Sequence, residues 1–418
     1  MPHPSTPATW PLPRVRLSRT RRVVGVVVLA MAAAVMSPVT TARASDFYTP
    51  PAAVEASPGT VIRAESMTFY LDPLRLLPSH ARATRVMYAT RDRTGAPIAV
   101  TGTVLVPPAP WVGVGVRPVV GYAAGTQGLG DQCAPSRQLA AGSEYEGAFI
   151  SGLLARGYAV AMTDYQGLGT PGTHTYMVRT AQAHAVLDMV RAAQHLPGTG
   201  LPSAGPVLLA GYSQGGGATA AAVELAPTYA PELHVRGAVA GAVPADLGAV
   251  AAHLDGSLYS AFALYAVAGQ AAAYGIDLGD YLNSRGLSVV EAVRGECVAE
   301  SIALHAFTSS SSLTKDGRSL TELAASEPFR SIIADQRIGR LTPTAPVLVT
   351  HSVLDDVIPY AVGKGLARDW CGRGANVAFS PNITPTHVGG AVPSFAKQFA
   401  FLEARVAGLP QASDCLWL

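Results

Sequence analysis

Charge is scarce in this 418-residue chain: Asp, Glu, Lys and Arg make up 14 % of it, against 49 % for the hydrophobic set. So apolar a sequence can bury a large core, which excludes disorder as a description of the whole. Aromatics are few, at 7 %. The 42 Gly and 32 Pro follow no fixed period, which excludes collagen-like and repeat architectures. No metal-ligand spacing is present. The four cysteines, Cys133, Cys297, Cys371 and Cys415, form no CxxC pair. No metal and no cofactor is therefore expected. Beyond residue 44, no apolar run is long enough to span a bilayer.

The small basic excess is misleading. The formal charge of +2 depends on six arginines in the first 44 residues, Arg14, Arg16, Arg19, Arg21, Arg22 and Arg43, where no acid occurs. The remainder carries 24 basic against 28 acidic residues, a net −4. A mildly acidic body excludes nucleic acid as the main partner, because phosphate binding needs a basic surface. After the arginines comes an unbroken run of 14 apolar or small residues at 23–36, then Pro38 and Ala42-Arg43-Ala44. This charged start, short apolar middle and small-x-small end predict a secretory signal peptide over 1–44, cleaved near Ala44. Arg21-Arg22 after Thr20 weakly fits twin-arginine export. An even number of widely spaced cysteines fits two disulfides in an oxidising compartment. Of three possible pairings, Cys371–Cys415 with Cys133–Cys297 joins the two that are closest in sequence.

Strand-like and helix-like stretches alternate through the first half of the mature chain. Strands are expected at 86–90, 98–106, 118–122, 158–163, 206–212 and 235–240, and helices at 147–154, 180–196 and 215–225. From 246 to 340 the signal turns helical, with helices expected at 253–274, 281–283, 288–302, 320–325 and 329–335. Alternation then resumes, with strands at 346–350 and 377–380 and helices at 361–370 and 394–406. The pattern predicts a doubly wound, mostly parallel α/β domain carrying a helical insertion. The core would occupy 45–245 and 341–418, and a cap or lid would occupy 246–340.

The chemistry concentrates at residues 206–217. Gly211-x-Ser213-x-Gly215 follows an apolar strand and precedes a helix. A serine on that strained turn needs small neighbours two residues away, and the helix start favours developing negative charge. Ser213 reads as a nucleophile and the Gln214 N–H as an oxyanion donor. In this fold the acid and base follow the serine in that order. An apolar strand ends at His351, and Asp355 and Asp356 follow on its loop, with Pro359 beyond. The spacing to Pro359 favours Asp355 as the acid, and Asp356 is read as part of an Asp-Asp turn. Asp355→Ala should then cost orders of magnitude in turnover, and Asp356→Ala should not. One histidine lies downstream, His387, expected on a loop between a strand and a helix. His351 is read as structural. The loop 123–130 should supply the second oxyanion donor. Thr126 is the first choice there, through its N–H or hydroxyl, with Gly125 and Gln127 as alternatives.

On these residues the chain resembles the secretory lipases of the Candida antarctica lipase A type, within the α/β-hydrolase superfamily. The resemblance extends over nearly the whole mature chain. It is carried by Asp46-Phe47-Tyr48-Thr49-Pro50-Pro51, Cys133-Ala134-Pro135-Ser136, Gly211-Tyr212-Ser213, Tyr229-Ala230-Pro231-Glu232-Leu233, His351-x-x-x-Asp355-x-x-x-Pro359-Tyr360, and Phe379-Ser380-Pro381 followed by His387. It implies a Ser213, Asp355, His387 triad, Gln214 and Thr126 at the oxyanion hole, and the same two disulfides. The chain departs from bacterial relatives at Ala124-Gly125-Thr126, where they often carry His-Gly-Thr. The implied activity is a secreted triacylglycerol lipase or carboxylesterase that cleaves lipophilic acyl esters through an acyl-enzyme. The apolar stretch 257–274 would then be either core or the wall of an acyl channel. Expected partners are a lipid or other ester substrate and the surface of lipid aggregates. The triad alone leaves open an acyltransferase, a serine peptidase or a non-catalytic binding protein.

Overall fold

The computed structural model describes residues 46–54 and 57–418, and the leader expected at 1–44 lies outside the described residues. Strands β1 (Val61–Met67), β2 (Arg82–Arg91), β3 (Pro97–Val106), β4 (Val119–Ala123), β5 (Ala159–Thr163), β6 (Pro206–Tyr212), β7 (His234–Gly241), β8 (Val347–Ser352) and β9 (Val377–Asn382) form one sheet. Its order is β1-β2-β3-β5-β4-β6-β7-β8-β9. The pairs up to β3–β5 are antiparallel, and every pair from β5 to β9 is parallel. The β2–β3 turn is fixed by Asp92, whose Oδ1 accepts from the Thr94 N–H at 2.8 Å and the Ala96 N–H at 2.9 Å.

Helices cover the parallel part, so β4 and β5 are buried along their whole length and read as continuous apolar runs. They are α1 (Pro135–Ala141), α2 (Gly147–Ala155), α3 (Arg179–His195) and α4 (Gln214–Tyr229). Between β7 and β8 come α5 (Leu247–Leu254), α6 (Ser260–Tyr274), α7 (Ser284–Val293), α8 (Val298–His305), α9 (Leu320–Ala324) and α10 (Phe329–Asp335). The chain closes with α11 (Tyr360–Gly372) and α12 (His387–Val406). Among the described residues no helix is long and apolar enough to cross a membrane.

Several elements differ from the sequence reading. The helix expected at 253–274 is two. The first starts at Leu247 because Asp246 caps it, accepting from the Ala249 N–H at 3.1 Å. It ends before Gly256, which has φ 69°. The helix expected at 288–302 is also two, because the Glu296 carbonyl and Cys297 are drawn away to residues 129–133. Residues 281–283 form no helix, and Leu282 instead makes a bridge with Thr314. The last helix starts at His387 rather than 394 and runs through Pro393. β1 and α1 had no clear sequence signal.

A buried carboxylate ties the core to the return from the helical segment. Glu224 on α4 accepts from Arg179 Nη1 at 3.1 Å, Trp370 Nε1 at 2.9 Å and the Gly339 N–H at 2.8 Å. Removing one partner from such a site leaves the others buried and unpaired. Glu224→Ala should therefore lower stability by about 3–5 kcal/mol. Denaturant unfolding of parent and variant checks this, and a loss under about 1 kcal/mol would contradict it.

Candidate active site

The turn from β6 into α4 carries Ser213 at φ 61° and ψ −123°, a conformation that L residues rarely adopt. Its neighbours must be glycine for steric reasons. A Cβ on Gly211 would sit 2.3 Å from the Gly215 carbonyl oxygen. One on Gly215 would sit 2.0 Å from the Ala123 carbonyl oxygen. The Ser213 N–H donates to Gly241 O at 3.0 Å, which anchors the turn to β7. Gln214 opens α4, where backbone N–H groups have no intrahelical partner. Its side chain is held by His174, Nε2 to Nε2 at 2.9 Å. His174 Nδ1 lies 3.0 Å from Gln166 O, and burial pushes the ring down to about 4. The neutral ring therefore donates from Nδ1 and accepts at Nε2.

Asp355 and His387 meet at the ends of β8 and β9. His387 Nδ1 lies 2.8 Å from Asp355 Oδ2. Both are buried, at 6 % and 9 % exposure, and His387 Nε2 has no hydrogen-bond partner among the described residues. The other carboxylate oxygen accepts from the Val357 and Ile358 N–H groups at 2.9 and 2.8 Å. Burial works to raise the Asp355 carboxyl. Hydrogen bonds from His351 and then His387, helped by the His387 charge and the Ile358 N–H, outweigh it and hold the carboxyl well below the usual carboxylate range.

His387 is not on a loop: it is the first residue of α12, after Thr386 at φ 66°. Two residues fix it there. Asp356 Oδ1 accepts its backbone N–H at 2.7 Å, Tyr212 OH donates to its carbonyl at 2.8 Å, and the Tyr212 ring lies 5.0 Å from the imidazole. Asp356 is thus more than a turn residue. His351, also fully buried, has Nε2 3.4 Å from Asp355 Oδ2 and 3.0 Å from Ile358 O. Asp356 and Tyr212 bear on His387 across 31 and 175 positions, contacts that no local spacing announces, whereas His351 reaches Asp355 from four residues away.

The loop after β4 sets one of its three candidates apart. The Gly125 N–H donates to Glu146 Oε2 at 2.8 Å, so it is already engaged. The Gln127 side-chain amide donates to Glu144 Oε1 at 3.1 Å, and the Gln127 N–H shows no partner among the described residues. Thr126 Oγ1 lies 2.7 Å from Tyr176 OH, and no partner for the Thr126 N–H is seen among the described residues. Ser213 borders a mostly apolar pocket. Val250, Phe262, Ala263, Val267, Val357 and Ile358 are among its walls, and no charged side chain lines it. The cysteines pair as expected, Cys133–Cys297 and Cys371–Cys415. Among the described residues no cluster of His, Cys, Asp and Glu could hold a metal ion.

Sheet order and flanking helices define an α/β-hydrolase fold. The solved structure of Candida antarctica lipase A shares it, with a TM-score of 0.77, 24 % identity and coverage of 88 % of this chain and 87 % of that one. The profile of the secretory lipase family matches residues 134–414, and the chain belongs to that family. Among relatives, a probable inactive lipase of Mycobacterium tuberculosis is 30 % identical, over 87 % of this chain and 82 % of that protein. A secreted triacylglycerol lipase of Malassezia restricta is 27 % identical, over 87 % and 79 %.

Two outcomes follow from this geometry. Asp356→Ala should lower kcat about 10-fold by freeing the His387 N–H, an effect much smaller than that of Asp355→Ala. Steady-state kinetics of the two variants checks this, and an unchanged kcat in Asp356→Ala would return that residue to a mere turn. The Asp355 carboxyl is held below its unfolded value, so its stabilisation is complete above about pH 4 and is lost as pH falls through the folded value. Asp355→Asn should therefore destabilise at neutral pH, with the difference from the parent shrinking in strong acid, as read by thermal unfolding against pH.

Proposed function

We propose that the protein is a secreted ester hydrolase acting on carboxylic esters with lipophilic acyl groups, triacylglycerols among them. The observation that carries this reading is that strained Ser213 borders a pocket whose walls are mostly apolar and, among the described residues, carry no charge. Such a pocket suits an alkyl chain. Ser213 Oγ attacks the ester carbonyl, and His387 Nε2 takes its proton. The C–O bond to the alcohol breaks as His387 returns that proton to the leaving oxygen. Water, deprotonated by the same nitrogen, then releases the acid. Asp355 fixes the His387 tautomer and stabilises the imidazolium. The N–H groups of Gln214 and Thr126 hold the oxyanion of both tetrahedral intermediates. Residues 246–340 act as a cap, contributing most of the cavity wall. Relatives named as secreted, together with two disulfides, support export behind the leader at 1–44.

A second reading, a non-catalytic member of the family, is favoured by the Mycobacterium tuberculosis relative's description as probably inactive. Initial rates on p-nitrophenyl esters from two to sixteen carbons, for the mature protein and Ser213→Ala side by side, separate the two. The expected result is activity that persists on long chains and falls by on the order of 10⁵-fold or more in Ser213→Ala. No serine-dependent activity, with no covalent labelling by an organophosphonate, would overturn the hydrolase in favour of the second reading.

A further inference from the structure

The segment between α1 and α2 grips the oxyanion loop one residue at a time. Glu146 Oε2 accepts the Gly125 N–H at 2.8 Å, Tyr145 OH donates to Thr126 O at 3.1 Å, and Glu144 Oε1 accepts from Gln127 Nε2 at 3.1 Å. Three consecutive residues thus hold three consecutive residues, in opposite chain directions. The grip is braced from both sides. Tyr122 OH, at the end of β4, donates to Glu146 Oε1 at 2.7 Å, and the Glu146 N–H donates to Glu144 Oε1 at 3.1 Å. It also dictates glycine at 125, where a Cβ would lie 2.5 Å from Tyr145 OH.

We propose that Glu144, Tyr145 and Glu146 are positioning residues that set the oxyanion geometry, and that the Glu144–Glu146 pair must keep one proton, on Glu144, for the loop to hold its shape. The proposal rests on the reading of Thr126 and Gln214 as oxyanion donors. Both carboxyls are buried, at 8 % and 4 % exposure, and no Lys, Arg or His forms an ion pair with either among the described residues. The titratable groups around them are Asp164, Tyr122, Tyr145, Tyr165 and Tyr176, none of them cationic. His174, stacked on Tyr165, is neutral. Two carboxylates in such a place repel each other without compensation. Glu146 uses both its oxygens, whereas Glu144 Oε2 is buried without a partner among the described residues, so that oxygen is where the proton sits. Burial, and then the Glu146 charge, push the Glu144 carboxyl up to about 8, and burial raises Glu146 to about 7. The two titrate as one unit.

The sign follows from these shifts. A folded acid with a raised pKa binds more protons than the unfolded chain, so its share of stability is present in acid and lost as pH rises. The second ionisation, near pH 8, should loosen the loop and lower kcat. KM should change little, because Glu144, Tyr145 and Glu146 do not line the acyl cavity. The experiment compares kcat and KM against pH for the parent, Glu144→Gln and Tyr145→Phe on a long-chain p-nitrophenyl ester. It adds the inhibition constant of a long-chain trifluoromethyl ketone, whose serine adduct carries the oxyanion. Glu144→Gln keeps the accepting oxygen and cannot ionise, so its alkaline limb should move up by a pH unit or more. Tyr145→Phe should keep the limb, lower kcat about 10-fold and weaken the ketone by a similar factor. Tyr145→Phe removes a single hydroxyl from a residue 55 % exposed, so it serves even where Glu144→Gln does not fold. An unmoved limb in Glu144→Gln, or parental kcat and ketone affinity in Tyr145→Phe, would overturn the proposal. A parent without Ser213-dependent turnover would overturn the hydrolase reading itself and the clamp with it.

Discussion

Everything around Ser213 depends on one contact between two backbones. The first turn of α4 rests on the end of β4 so closely that Gly215 has no room for a Cβ beside the Ala123 carbonyl oxygen. No side chain intervenes between the turn that bears the serine and the strand end that leads into the oxyanion loop. The Gln214 end of the proposed oxyanion site is therefore set by main-chain packing, and the side chains of residues 144–146 hold the Thr126 end. A dipole arrangement fixed in advance is what electrostatic stabilisation of a transition state requires.

The loop that begins at Ala123 is caught from two directions. On one side are Glu144, Tyr145 and Glu146. On the other is the helical segment: Val298 N–H donates to Gln127 O at 2.9 Å, the Leu129 and Gly130 N–H groups donate to Glu296 O, and Cys133 is bonded to Cys297. Gly128 pairs with Cys297 as an isolated bridge. The helical segment is thus stitched to the oxyanion loop at residues 296–298.

What could be read in the sequence, and what could not, follows from the range of each constraint. The elbow was legible because its steric demand falls on Gly211 and Gly215, two residues either side of the serine. His387 was legible by chain order, since no other histidine follows Asp355. The break at 294–297 was not, because it comes from a disulfide and three hydrogen bonds to residues more than 160 positions away. The start of α12 was hidden by Gly389, Gly390 and Pro393, which look like breakers. Gly390 is required there because a Cβ would lie 2.8 Å from the Ser352 side chain. Nothing in the local sequence marks Glu144 and Glu146, which the fold buries behind a loop about twenty residues upstream.

The polar and apolar halves of the site share two residues. The Val357 and Ile358 N–H groups hold Asp355 Oδ1, and both residues line the cavity. Both side chains pack with Val250 and Leu254 of α5 and with Tyr212, which also supports His387. An alkyl chain that fills the cavity therefore presses on the backbone that orients the proposed acid. Packed interiors transmit such displacements because they contain little free volume. The orientation of the Asp355–His387 pair and the filling of the cavity are thus two readings of one packing arrangement. The wall proposed to receive an acyl chain is continuous with the residues that orient Asp355 and His387.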